Sequence, residues 1–361
     1  MDSLPDALVW IGAALAVLVF LALCPLLILL AVAAIYPDAI QPAVRFVLAP
    51  VYRLRVIGLE HLPKTGPVLI VANHVSWIDG FLLAATVPRR GRALVFAPYL
   101  KIPILGPLAK RSGMIPVPDR GPKAQRAMLR AAFEVLDNGE VLGVFPEGQI
   151  SRTGVMGTLY RGIEVIASGR EEATIIPVAL DNLWGSIFSF SGGRFFRKRP
   201  RGFRRTVIVS FGPPIERPLT VFKARQAIVE AGVRAFERRP ERDQAILPET
   251  IDLGLPHLKH PEFGLLTASA PDYEHGIIRQ TGHKDGSVGQ PVPGVALRVV
   301  DPHGQPLPPD TEGRLQLLRA GDPNWHDLGL TARIERDGFV FLADPPSPGE
   351  VQSQDASPAL P

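Results

Sequence analysis

The sequence predicts an α/β fold: a mixed, mostly parallel sheet flanked by helices, with an N-terminal membrane helix and a small β-rich C-terminal module. Three observations predict it. Short apolar, β-branched runs at Val68–Ala72, Val141–Phe145, Thr174–Leu180 and Thr206–Phe211 alternate with stretches of helical periodicity. The 31 residues from Ala7 to Pro37 carry no charge. Residues 263–343 exchange helical periodicity for apolar alternation between Gly, Pro and Asp turns.

The uncharged run exceeds the ~20 residues needed to cross a ~30 Å hydrocarbon layer. Pro25 near its middle leaves two geometries open, one tilted and kinked span or a broken hairpin in one leaflet. A secretory signal would begin with a basic region, whereas Asp2 and Asp6 stand here. The first basic residues, Arg45, Arg53 and Arg55, follow the run and predict that the body of the chain stays on the cytoplasmic side of the membrane.

After the first strand a short helix is expected over Asp79–Val87, stopped by Pro88. Lys123–Asn138 places Ala127, Leu129, Ala132, Phe133 and Leu136 near helical spacing, with Gly139 as a stop. Further helices are expected over Leu159–Ala167 and Thr220–Arg238. The chain thus divides into a membrane anchor (1–40), an α/β domain (41–238), a charged, proline-containing linker (239–262), the β module (263–344) and a Pro/Ser-rich disordered tail (345–361).

Composition narrows the chemistry. Of 361 residues 46% are hydrophobic, enough for a substantial core, and 39 Lys+Arg against 35 Asp+Glu gives +4, with no nucleic-acid-binding signature. Cys24 is the only cysteine, so no intrachain disulfide and no cysteine-based metal site can form.

The chemistry is concentrated in two motifs. Asn73-His74-Val75-Ser76-Trp77-Ile78-Asp79-Gly80 runs from a predicted strand into a predicted helix. Such turns lie at the carboxyl edge of a parallel sheet, where α/β proteins place their sites. Across this one, Asp79 can orient the imidazole of His74 and stabilise its protonated form. The alternative is a surface histidine beside a helix-capping aspartate. Ser76 is a nucleophile candidate, but no Gly-x-Ser-x-Gly frames it. The other motif, Phe145-Pro146-Glu147-Gly148, follows the Val141 strand, where Glu147 and Gly148 can reach the same edge or form an ordinary turn.

Together, His-x4-Asp and, about seventy residues on, Phe-Pro-Glu-Gly resemble the glycerolipid, or lysophospholipid, acyltransferase family. Gly113-Met114-Ile115-Pro116-Val117-Pro118-Asp119-Arg120 looks like that family's middle motif, and Ile175-Ile176-Pro177-Val178 like its later strand. The likeness spans roughly residues 55–235. It is greatest to the acyltransferase half of the bacterial 2-acylglycerophosphoethanolamine acyltransferase/acyl-carrier-protein synthetases, through Asn73–Leu83, Phe145–Gly154 and Leu159–Gly162. This resemblance implies acyl transfer to the free hydroxyl of a lysophospholipid, with His74 as general base and Asp79 orienting it. It implies substrate contacts from Asn73, Arg120, Glu147, Gly148, Arg152 and Arg161. Acyl-CoA or acyl-carrier protein would be the co-substrate, with no other cofactor and no metal. Membrane lipids are implied partners, and a bacterial inner membrane the location. Gln149-Ile150 stand where phosphatidate-forming relatives have Thr-Arg, and Phe96–Tyr99 lacks their lysine. Both departures weaken the case for a bare glycerol-phosphate acceptor.

Two further features stand apart from these motifs. Arg194–Arg205 holds six Arg and one Lys among Phe195, Phe196 and Phe203, which suits an anionic leaflet or a solvated loop. Residues 263–343, through Gln280–Gly294, Glu312–Leu315 and Asp337–Phe339, look like the later part of the large domain of AMP-binding acyl synthetases. Trp325-His326-Asp327-Leu328-Gly329-Leu330 departs from that family's Trp-x-x-Thr-Gly-Asp, and no phosphate loop exists in the chain. The module therefore reads as a remnant, an appendage or a carrier-protein dock. An acyl-activating ligase, or a silent membrane protein that kept the fold, are the alternative functions.

Overall fold

The computed structural model describes residues 40–101, 106, 109–110, 113–118, 121–192, 204–240, 254–276 and 278–344. The expected anchor, the tail, Arg120, Arg194–Phe203 and most of the linker lie outside the described residues. Among the described residues no helix is long and apolar enough to cross a membrane.

The α/β domain is built on a seven-stranded sheet in the order β1-β7-β6-β2-β5-β3-β4. Its strands are β1 (Tyr52–Ile57), β2 (Val68–Ala72), β3 (Gly91–Phe96), β4 (Ile115–Val117), β5 (Val141–Val144), β6 (Thr174–Asp181) and β7 (Arg205–Phe211). Five of the six pairings are parallel; only β6 and β7 run antiparallel. The helices are α1 (Ile40–Leu48), α2 (Asp79–Thr86), α3 (Pro122–Asp137), α4 (Gly162–Gly169) and α5 (Val221–Glu237).

Strand β2 shows why its sequence reads as an unbroken apolar run. Leu69 and Val71 face a core shared with α3, α4 and α5, through Leu136, Ile163, Ile166 and Ile228. Val68, Ile70 and Ala72 face the opposite core with Leu82 of α2 and Val207, Val209 and Phe211 of β7. A strand covered on both faces has no polar side to show. Thr220 caps α5 by accepting the Lys223 backbone N–H at 3.1 Å.

Several elements depart from the sequence expectations. Strands β1, β3 and β4 were not expected. β1 is an edge strand whose exposed face carries Arg53 and Arg55, which in sequence read only as a basic flank. Helix α4 begins at Gly162 rather than Leu159, because the Tyr160 N–H donates to Pro146 O at 2.8 Å, which holds that stretch to the preceding loop. The linker range is also partly structured: its first residue, Arg239, grips Asp181 with two bonds of 2.6 Å, and β8 (His257–His260) lies within it.

The C-terminal module is β-rich as expected. β8, β9 (Gly264–Ala268) and β12 (Gln290–Pro291) form one small sheet, and β10 (Tyr273–His275) pairs with β11 (Ile278–Gln280). β13 (Val295–Val300), β14 (Gly313–Arg319), β15 (His326–Ile334) and β16 (Val340–Leu342) form an antiparallel meander. Helix α5 joins the two regions. One face packs Ala224, Ile228 and Ala231 into the sheet core, and the other sets Val229 and Val233 against Ala296, Leu318 and Trp325.

Gly58 links β1 to the loop before β2 at φ 71°, and an added Cβ would collide with the carbonyl oxygen of Phe211. Gly66 has a similar φ of 79° but open space around it. Gly58→Ala should therefore lower stability by about 3 kcal/mol, against about 1 kcal/mol for Gly66→Ala, which bears only the backbone term. Urea unfolding of the purified variants measures both, and equal losses would remove the steric account.

Candidate active site

The parallel pairing of β2 with β5 creates the site. Val71 lies opposite Val144, so the chain leaves both strands at the same level and direction. Residues 73–79 and 145–157 therefore meet at the carboxyl edge of the sheet.

Asp79, the first residue of α2, is fully buried and turns back over the preceding loop. Its Oδ2 accepts the Val75 N–H at 2.6 Å, the Ser76 N–H at 2.8 Å and Nδ1 of His74 at 2.9 Å. Its Oδ1 accepts the Ser76 hydroxyl. Four donors converge on one carboxylate, which offsets the cost of its burial. With Nδ1–H committed to Asp79, the imidazole lone pair sits on Nε2. The His74 side chain keeps 20% of its surface, and its ring stacks on Phe145 with centroids 4.4 Å apart. Ser76 is fully buried, so it is placed as a donor to Asp79 rather than as a nucleophile open to substrate.

Glu147 is the second buried carboxylate. Its Oε1 accepts the His74 backbone N–H at 2.7 Å and its Oε2 the Gly157 N–H at 2.7 Å. Both oxygens are thus engaged by the backbone, and the side chain is 2% exposed. Glu147 thereby ties the histidine loop to the segment that follows β5. The same segment holds the other side of that peptide, because the Ser151 N–H donates to His74 O at 2.8 Å.

The remaining expected residues divide by position. Asn73 pairs with Leu180 of β6, accepting its N–H at 2.7 Å and donating to its carbonyl at 3.1 Å, so its amide extends the sheet. Gly148 takes φ 63°, and a Cβ there would press on the Tyr160 ring. The Arg152 guanidinium stacks over Phe190, 3.2 Å from the ring centroid, with Tyr273 of the β module 5.0 Å away. Arg161 is 78% exposed and pairs with Glu164 at 2.8 Å. Among the described residues no group of three or more His, Cys, Asp or Glu side chains is placed to hold a metal ion.

Residues that sequence reasoning missed support the site from behind. Arg225 of α5 is buried and donates to Met156 O at 3.2 Å and to Gly157 O. Desolvation lowers its pKa to about 10, so it remains protonated at neutral pH. Apart from helical phase, nothing in the sequence marks this arginine. Ser76 and Phe145 lay inside the two motifs but had no geometry to assign them.

Residues 53–181 match the family model described as Acyltransferase. Among curated relatives, the chloroplastic 1-acyl-sn-glycerol-3-phosphate acyltransferase of Arabidopsis thaliana is 29% identical over 36% of this chain and 36% of its own length. The 1-acyl-sn-glycerol-3-phosphate acyltransferase of Borreliella burgdorferi is 28% identical over 36% of this chain and 52% of its own. The chain thus spans about a third to a half of the length of these relatives. The crystal structure of the 1-acyl-sn-glycerophosphate acyltransferase from Thermotoga maritima aligns at 20% identity and a TM-score of 0.43, over 59% of this chain and 94% of that one.

Burial pushes the Glu147 carboxyl up to about 7, against the opposing pull of the Gly157 and His74 N–H bonds and of the His74 and Arg225 charges. An unperturbed glutamate titrates at 4.5. Between these values the folded chain binds the proton more tightly than the unfolded chain. The stabilisation from this carboxyl is complete below 4.5 and is lost as pH rises through 7. Glu147→Gln removes the titration. The gap in melting midpoint should move in the variant's favour between about pH 5 and about pH 8, read by parallel thermal scans. A constant gap, or one moving toward the wild type, would contradict the buried carboxylate.

Proposed function

We propose that the chain transfers a fatty acyl group from an acyl thioester, either acyl-CoA or acyl-carrier protein, to the free hydroxyl of a lysophospholipid. The observation that carries this reading is the 2.9 Å bond between Nδ1 of His74 and Asp79, at a sheet edge within an acyltransferase-family stretch. Nε2 of His74 takes the proton of the acceptor hydroxyl as its oxygen attacks the thioester carbonyl. The C–S bond breaks, the thiolate leaves, and the imidazolium can return its proton to the sulfur. Asp79 stabilises the imidazolium and fixes the tautomer. Because a thiolate leaves readily, one imidazole serves the whole cycle. The uncharged run from Ala7 to Pro37 would hold the domain at the membrane, where a lysophospholipid presents its hydroxyl. Arg120, carried over from the family's middle motif, and Arg152 are the candidates for its phosphate.

Purified full-length protein, assayed with a panel of lysophospholipids against both donors and read by mass spectrometry, tests this reading. No acylated product from any pairing would end it. His74→Ala should abolish transfer without loss of folding, and Asp79→Asn should lower kcat by about 10²–10⁴-fold, the scale of lost general base catalysis. Turnover of either variant at the wild-type rate would remove the proposed base.

A further inference from the structure

We propose that Gln280, on β11 of the C-terminal module, is a positioning residue for His74; the inference rests on the base assigned above. Gln280 is 5% exposed and its amide is inserted into the loop that follows the glutamate motif. Its Oε1 accepts the Arg152 N–H at 2.7 Å, and its Nε2 donates to Thr153 Oγ1 at 2.8 Å and to Val155 O at 3.3 Å. Beside it, Gln149 donates to Arg279 O at 2.8 Å, so the contact is double.

Residues 151–160 form neither helix nor strand. Buried backbone groups there need partners from elsewhere. Gln280 supplies one for the Arg152 N–H and a second for Val155 O, which also accepts the Ser151 hydroxyl at 2.7 Å, and Arg225 supplies them for Met156 and Gly157. Arg225 is itself backed by the module, since a Cβ on Gly338 would lie 3.0 Å from its Cδ.

That loop holds His74 at both ends of its backbone, through Ser151 N–H to His74 O and through the Glu147 bridge from Gly157 N–H to His74 N–H. A Cβ added to Gly157 would lie 3.3 Å from Glu147 Oε2 and 3.8 Å from Gln280 Nε2, so the carboxylate and the amide flank the same peptide. The β module therefore adds no reacting group. It closes the loop that sets where the imidazole stands relative to the acceptor hydroxyl and the thioester.

The test uses the full-length protein with Gln280→Ala, Thr153→Val and the double variant. Thr153→Val removes the hydroxyl acceptor from the acyltransferase side and keeps a readout if Gln280→Ala fails to fold. Small misplacements of a catalytic group cost rate rather than binding, so kcat should fall about tenfold with KM for both substrates nearly unchanged. The double variant should be no worse than the poorer single one. Amide exchange over residues 73–76 and 151–157 should quicken more than exchange in the central strands β2 and β5. Wild-type kcat in both single variants, or unchanged exchange at residues 73–76, overturns the proposal. An inactive wild type would instead sink the acyl-transfer reading, and the exchange measurement would still decide whether Gln280 governs the histidine loop.

Discussion

A carboxylate shut away from water between two backbone N–H groups is the constraint on which the rest of the site depends. Glu147 joins two segments that share no regular structure, the turn after β2 and the loop after β5. Burying a charge there is unfavourable enough to raise its pKa to about 7. The two N–H bonds and the protonated Arg225 offset part of that cost. What the chain gains is a fixed peptide at His74, whose N–H and carbonyl are both held from the far segment while Asp79 and Phe145 fix the ring. An imidazole held at backbone and ring has little freedom left to lose.

The two carboxylates divide the work because their surroundings differ. Asp79 gathers every donor from its own loop, so its network is local and could form as soon as α2 starts. Glu147 bonds at long range, and its partners meet only once β2 and β5 are paired in register. The site is therefore complete only when the sheet is, and its geometry inherits the rigidity of central strands buried on both faces.

Local patterns were legible in the sequence and long-range ones were not. The runs at β2, β5, β6 and β7 reveal themselves because double coverage removes any polar alternation. Helices α3 and α5 do so through period and caps. His74 and Asp79 could be paired because five residues across a strand-to-helix turn leave few geometries. β1 was hidden by Arg53 and Arg55 on its exposed edge face. Glu147 could be placed at this edge but its backbone partners could not, since sequence shows a carboxylate and not which N–H groups it meets. Gln280 lies well over a hundred residues from the loop it fills and sits in no signal that periodicity or spacing could raise.

The β module follows from the same physics. Phe222, Val229 and Val233 of α5 turn away from the sheet and into the module's apolar contacts. Fully burying a side chain of this kind contributes roughly 1.5–3 kcal/mol. A chain ending after α5 would leave that face in water and would withdraw the Gln280 amide from the Arg152 N–H and Val155 O. A separable appendage would touch the domain through a polar, replaceable surface. Here the contact is an apolar helix face with buried hydrogen bonds beside it, the composition of a core. Its contacts make the module part of the scaffold on which the histidine loop is set.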